Sequence, residues 1–197
     1  MSLTDDPRAA EVLDFWFGRP DEPGYLQTRP EWFRKDAAFD AAIRGRFGAL
    51  IDAALRGELD GWAATPHGAL ARIVVLDQFP RNAFRDSARM YAGDALALQA
   101  ARALCASGQD HALPGVMRQF AYLPFEHAES LAEQQASMAH FAQLGRDEPA
   151  LAGLLEWAQK HLDIVARFGR FPHRNAILGR PSTPEETEFL KQPGSGF

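Results

Sequence analysis

Cysteine is nearly absent from this chain. Its 197 residues include one, Cys105, which excludes an internal disulfide and any structural metal site built on cysteine pairs. Cys105 lies in the alanine-rich run 100–106, where a small buried hydrophobe is expected rather than a reactive thiol. Lysine is almost as scarce, with Lys35, Lys160 and Lys191 the only three among 21 basic residues. The others are arginines, whose planar fork grips carboxylates and phosphates through two hydrogen bonds. Long apolar runs are missing too. The longest aliphatic stretch is Ile73-Val74-Val75-Leu76, and a membrane span needs about 20 residues. The start, Met1 to Asp6, is acidic rather than basic and no long apolar run comes after it, so no signal peptide is read, and a cytoplasmic location is expected. The net charge of −5 offers no basic face for nucleic acid. Segments alternating polar and apolar between turn signals are also missing, which argues against strands.

Helical periodicity is present almost throughout. Leu13, Trp16 and Phe17 keep i, i+3, i+4 spacing, and Gly18 with Pro20 ends that first helix. Asp36 opens a long amphipathic segment striped by Phe39, Ile43, Phe47, Leu50, Ile51 and Leu55. Thr65-Pro66 reads as an N-cap with proline at the first helical position. The helix over 66–79 is apolar on nearly every side and so is expected at the centre of the fold. Further helices are predicted over 89–107, 113–122, 124–144, 149–168 and 183–191. The last opens with Thr183-Pro184-Glu185-Glu186, a capping box. The chain is read as a single all-α domain over 1–197, with 192–197 as a frayed tail.

An internal echo links Asp77-Gln78-Phe79-Pro80-Arg81-Asn82-Ala83 with Gly169-Arg170-Phe171-Pro172-His173-Arg174-Asn175-Ala176. Both are expected to be helix exits. Proline restricts the residue before it, arginine suits a helix C-terminus, and asparagine can cap the next turn.

Polar groups concentrate in three segments. Asp77, with Arg81 and Asn82, falls on the same helix side as Leu70, Ile73 and Val74, so its carboxylate needs a partner. Glu126, His127, Glu129 and Ser130 come after Pro124, in a stretch without Lys or Arg from 119 to 145. Placed on a helix starting at Pro124, Glu126, Glu129, Ser130, Glu133 and Ser137 share a face. Carboxylates at a helix N-terminus need no further explanation, whereas His127 opposes the field there. The third segment begins at His161, on an apolar stripe with Trp157, Ile164, Val165 and Phe168. It continues through Arg167, Arg170, His173, Arg174, Asn175 and Arg180, with no acidic residue between Asp163 and Glu185. Those arginines either hold an anionic group or neutralise Asp77 and the Glu126 segment.

Four blocks now point to a family: Val12-Leu13-Asp14-Phe15-Trp16-Phe17-Gly18, Trp32-Phe33-Arg34-Lys35-Asp36, Leu76-Asp77-Gln78-Phe79-Pro80-Arg81-Asn82 and Arg167-Phe168-Gly169-Arg170-Phe171-Pro172-His173-Arg174-Asn175. Together with Tyr122-Leu123-Pro124-Phe125-Glu126-His127-Ala128-Glu129, they resemble the signature blocks of the bacterial DUF924 family. A serine often stands there at the position of Ala128. The resemblance implies an irregular tetratricopeptide-like array, here of about eight to nine helices without a 34-residue consensus, and it supplies no catalytic residues.

Two functions remain open. In the first, a polar pocket of the array binds a small anionic molecule or a peptide through Arg81, Asn82, Glu129, Arg167, Arg170, His173, Arg174 and Asn175. In the second, Asp77, Glu126, His127 and His161 perform acid–base chemistry on an anionic substrate. The chain has no nucleophile elbow, phosphate loop or metal-ligand spacing, so neither a metal nor another cofactor is assigned. Oligomeric state is left open.

Overall fold

A computed structural model describes Thr4 and residues 6–196. Among these residues the regular structure is helical throughout and no strand occurs. The chain falls into two compact units, residues 1–85 with 89–124 and residues 86–88 with 125–197. No helix of the described residues is long and apolar enough to cross a membrane.

The N-terminal unit begins with α1 (Pro7–Phe17), capped by Asp6 and closed by Gly18 in the positive-φ conformation that glycine adopts freely. Its last carbonyls are met by side chains from the adjoining loop. Arg29 Nη1 donates to Phe15 O at 2.7 Å, and Trp32 Nε1 donates to Trp16 O at 3.1 Å. The apolar stripe read from the sequence packs as an aromatic cluster. Trp16 lies 6.0 Å from Trp32 and 5.6 Å from Phe120, and Phe47 lies 4.8 Å from Phe79, centroid to centroid. Asp36 caps α2 (Ala37–Leu55) by accepting from Ala38 and Phe39 N–H, and Thr65 caps α3 (Pro66–Ile73).

One expected helix exit is corrected here. After α3 the helix does not stop at Phe79-Pro80. It passes through a π-helical turn, Val74–Gln78, into α4 (Phe79–Ala83). Pro80 has no N–H for the Leu76 carbonyl one turn back. The wider turn, in which Phe79 N–H reaches Val74 O, places the proline at the start of a new helical run, where it is tolerated. The Leu76 carbonyl instead packs on Gly93, where an added Cβ would lie 2.0 Å from that oxygen. The central placement of this helix holds, with Leu70, Ile73, Val74, Val75, Leu76 and Phe79 all fully buried. The predicted helix over 89–107 starts later, as α5 (Asp94–Ala106), after a short 3-10 turn at Ala88–Tyr91.

The second correction concerns Pro124, which does not open a helix. It lies inside α6 (Gly115–Glu126), and the next helix, α7 (Leu131–Asp147), starts at Leu131. The buried Gln134 explains the stop. Its Nε2 donates to Glu126 O at 2.6 Å and Ala128 O at 2.8 Å, with Phe125 O at 3.4 Å. Glu126 O is a carbonyl left open at the end of α6, and Ala128 O lies in the turn just past it.

In the C-terminal unit α7 packs along α8 (Leu154–Phe168) as a helical hairpin. Gly169 ends α8 with φ of +69°, so the second echo segment is an exit as expected. A 3-10 turn at Pro172–Arg174 comes next, and Thr183 opens α9 (Pro184–Phe189) with the predicted capping box. Ile164, Val165 and Phe171 form this unit's apolar centre, with Phe168 and Phe189 against it. Of the segment 192–197, Phe197 lies outside the described residues. The preceding turn is hydrogen-bonded through Ser195 N–H to Gln192 O and Ser195 Oγ to Leu190 O.

Candidate functional site

The sequence candidates divide between the two units, and each group is organised around its own partners. In the N-terminal unit Asp77 is fully buried on the π-helical turn. Arg81 Nη1 donates to Asp77 O at 2.8 Å and lies 3.2 Å from Asp77 Oδ1, while both of its terminal nitrogens hold Asp94 at 2.8 and 3.0 Å. Burial pulls the Arg81 pKa down, but Asp77 and Asp94 overcome it and raise it. Asn82 donates to Gln78 O at 3.0 Å and accepts from Arg85, which in turn grips the buried Asp40 at 2.6 Å. This network explains why polar residues sit on an apolar helix face. It binds α2, α4 and α5 through paired charges. The same unit carries an open groove of about 930 Å³, lined by Glu11, Asp14, Phe15, Arg29, Glu31 and Arg46 among others. None of the sequence candidates line it.

The C-terminal unit assembles most of the candidates. Glu126 is not at a helix start, as the sequence pattern predicts, but at the C-terminal end of α6, 4% exposed. An anion there opposes the helix field. The face expected for Glu126, Glu129, Ser130, Glu133 and Ser137 therefore does not exist as one surface, because residues 127–130 separate two helices. Glu126 Oε1 lies 3.2 Å from Nδ1 of His161, whose Nδ1 also sits 2.9 Å from Trp157 O. Nδ1 thus carries the proton and Nε2 is the acceptor, a tautomer assigned from these contacts.

Burial among Ile164, Val165 and Phe171 pushes the His161 pKa down. The Trp157 carbonyl opposes this, and His127, Arg174 and His173 add to it, leaving a value of about 3. The ring is neutral at physiological pH, so its contact with Glu126 is a hydrogen bond rather than an ion pair.

Phe171 is the hub of this arrangement. Its fully buried ring stands edge-on to His161 at 5.6 Å, tilts against His173 at 5.7 Å, and carries the Arg174 guanidinium 4.5 Å above it. The His127 ring lies 6.4 Å from that of His161.

Three other arginines of the segment hold carboxylates. Arg180 grips Glu129 at 2.6 and 2.8 Å, and Phe171 N–H donates to Glu129 at 2.8 Å. Burial raises the Glu129 pKa, but the Arg180 and Phe171 bonds and the charge of Arg174 outweigh it and lower it. Arg170 holds Glu186 at 2.6 and 2.8 Å, and Arg167 holds Glu185 at 2.8 Å. Asn175 donates to Ser182 Oγ and to Glu186, and it accepts from Arg180 Nε. Arg170, then the Thr183 backbone and Asn175, hold the Glu186 carboxyl down to about 2 against its own desolvation.

Sequence patterning places Glu186 only in its capping box and leaves Gln134 outside the site. Gln134 and Ser137 are both fully buried. A polar pair one turn apart on a helix is the sequence signal they carry, and the misplaced helix start at Pro124 obscures it.

Residues 12–194 match the model of DUF924, described as a bacterial protein of unknown function. No curated protein matches the chain. A solved structure of a protein of unknown function from Agrobacterium tumefaciens is similar at 45% identity. The likeness covers 94% of this chain and 97% of that one, with a TM-score of 0.80.

Proposed function

Because the chain belongs to the DUF924 family, which brings no established activity with it, we propose from its side chains that the C-terminal unit binds a small anionic molecule. One observation carries the reading: His161, His173 and Arg174 surround a single buried ring, Phe171, with His127 beside His161. An arginine over a phenyl face in a dry setting, with imidazoles around it, favours a carboxylate or phosphate. The binding role goes to Arg174, His127 and His173. Arg167, Arg170 and Arg180 hold Glu185, Glu186 and Glu129.

The same proposal extends to architecture and location. The α7–α8 hairpin is the kind of unit that tetratricopeptide-like arrays stack, and a chain with one cysteine suits a reducing cytoplasm.

A thermal-shift panel of small carboxylates and inorganic phosphate tests the binding. At least one of them raises the melting midpoint, as mass action requires. His127→Gln and Arg174→Met shrink that rise, whereas Arg167→Met leaves it intact. A flat panel, or an unchanged rise in both site variants, overturns the proposal.

The 3.2 Å contact between Glu126 and His161 favours a second reading, acid–base catalysis. Glu126 would orient the ring and His161 Nε2 would accept a proton from the bound anion's neighbouring group. The expected signature is loss of turnover in Glu126→Gln with anion binding retained.

A further inference from the structure

We infer that the anion taken by the C-terminal unit carries a hydrogen-bond donor of its own, a hydroxyl or amino group near its acidic group, received by Gln134 and Ser137. The inference rests on the binding reading above and deepens it.

The amide of Gln134 has only one possible orientation. Its nitrogen faces the carbonyls of Phe125, Glu126 and Ala128, and the amide oxygen cannot donate to a carbonyl, so the oxygen must point the other way. That oxygen, Oε1, is buried and has no hydrogen-bond partner among the described residues. Because the amide is bonded to the carbonyls of both Glu126 and Ala128, it flanks His127 in the chain. One turn further along α7, on the same buried face, Ser137 Oγ is also buried with no partner among the described residues. Both residues are fully buried, and an acceptor shut away from water without a donor is costly to the fold. The Gln134 oxygen can only accept and the Ser137 hydroxyl can accept as well as donate, so the two, next to a turn bearing a glutamate and a histidine, suit a ligand that supplies a donor as well as negative charge. A plain carboxylate supplies none.

The test uses the full chain and two matched pairs of acids, lactate with propionate and malate with succinate. The hydroxy acid of at least one pair is expected to bind about ten-fold tighter or better, since a site with buried acceptors discriminates against an analogue lacking the donor. Ser137→Ala is expected to cut that preference several-fold and to leave the affinity of the plain acid unchanged. In the ligand-free chain Ser137→Ala is expected to leave the melting midpoint the same or higher, because removing an unserved buried hydroxyl costs nothing. Equal binding of hydroxy and plain acids overturns the inference while the binding reading stands. A lowered midpoint in the ligand-free variant also overturns it, because the hydroxyl would then be served within the fold, for instance by buried water. If none of the four acids binds while sulfate or another anion without a donor does, the inference fails and the binding reading survives. If no anion of any kind binds, the binding reading fails and takes the inference with it.

Discussion

An imidazole that stays neutral when folded and charges when unfolded makes stability depend on pH. The His161 pKa falls from 6.5 to about 3, mainly through burial. Between those values the unfolded chain binds the proton and the folded chain does not. Stability from this group is therefore complete above pH 6.5 and is lost as pH falls toward 3, by up to about 1.4 kcal/mol per pH unit. Urea unfolding of the wild type and of His161→Asn at about pH 7, 6 and 5 checks this. The slope is expected to be shallower in the variant, and parallel curves would contradict it. Glu186, held near 2 by Arg170, acts in a lower window. Its contribution is complete above about pH 4.5 and is lost as pH falls toward 2, so between about pH 4.5 and 6.5 only His161 of the two acts. His161 is legible in the sequence as a core residue, because the stripe of α8 is a matter of local spacing. Its partner Glu126 lies 35 positions away, and no local rule connects them.

Elements in this fold are shaped by single backbone contacts. Gly93 faces the Leu76 carbonyl so closely that a Cβ would sit 2.0 Å from it. Gly93→Ala is expected to cost at least about 2 kcal/mol, since backbone rather than a flexible side chain must move. Chemical denaturation measures this, and a near-neutral result would refute the packing. Gln134 works through hydrogen bonds instead. Gln134→Leu is expected to cost about 1–3 kcal/mol by stranding carbonyls at the end of α6. Amide exchange at Ala128, whose N–H bonds Phe125 O, should quicken with it. Both features depart from the sequence expectation at a proline. Local pattern has Pro80 ending a helix and Pro124 beginning one. A proline fixes its own φ and withholds one donor, which fits a helix start, an exit or a repaired interior alike. The π-helical turn and the reach of Gln134 decide among them.

For the molecule as a whole, the proposed anion should bind more tightly in mild acid. A negative charge seated among imidazoles favours their protonated forms, so binding takes up protons. The stabilisation by a given anion is expected to be larger at about pH 5.5 than at about pH 8. Calorimetry in buffers of different ionisation enthalpy should show the uptake, and pH-independent binding with no buffer effect would contradict it.

Helical class, the capped starts at Asp36, Thr65 and Thr183, the buried helix from Pro66 onward and the DUF924 blocks were all determined by the sequence alone. Each depends on local spacing within a helical turn, or on a motif met in order along the chain. Tertiary structure decided which charge meets which. Arg81 chose Asp94 as well as Asp77, Arg170 chose Glu186, and Arg180 chose Glu129. Arginine forks and carboxylates are chemically interchangeable as partners, so only the path of the backbone selects among them.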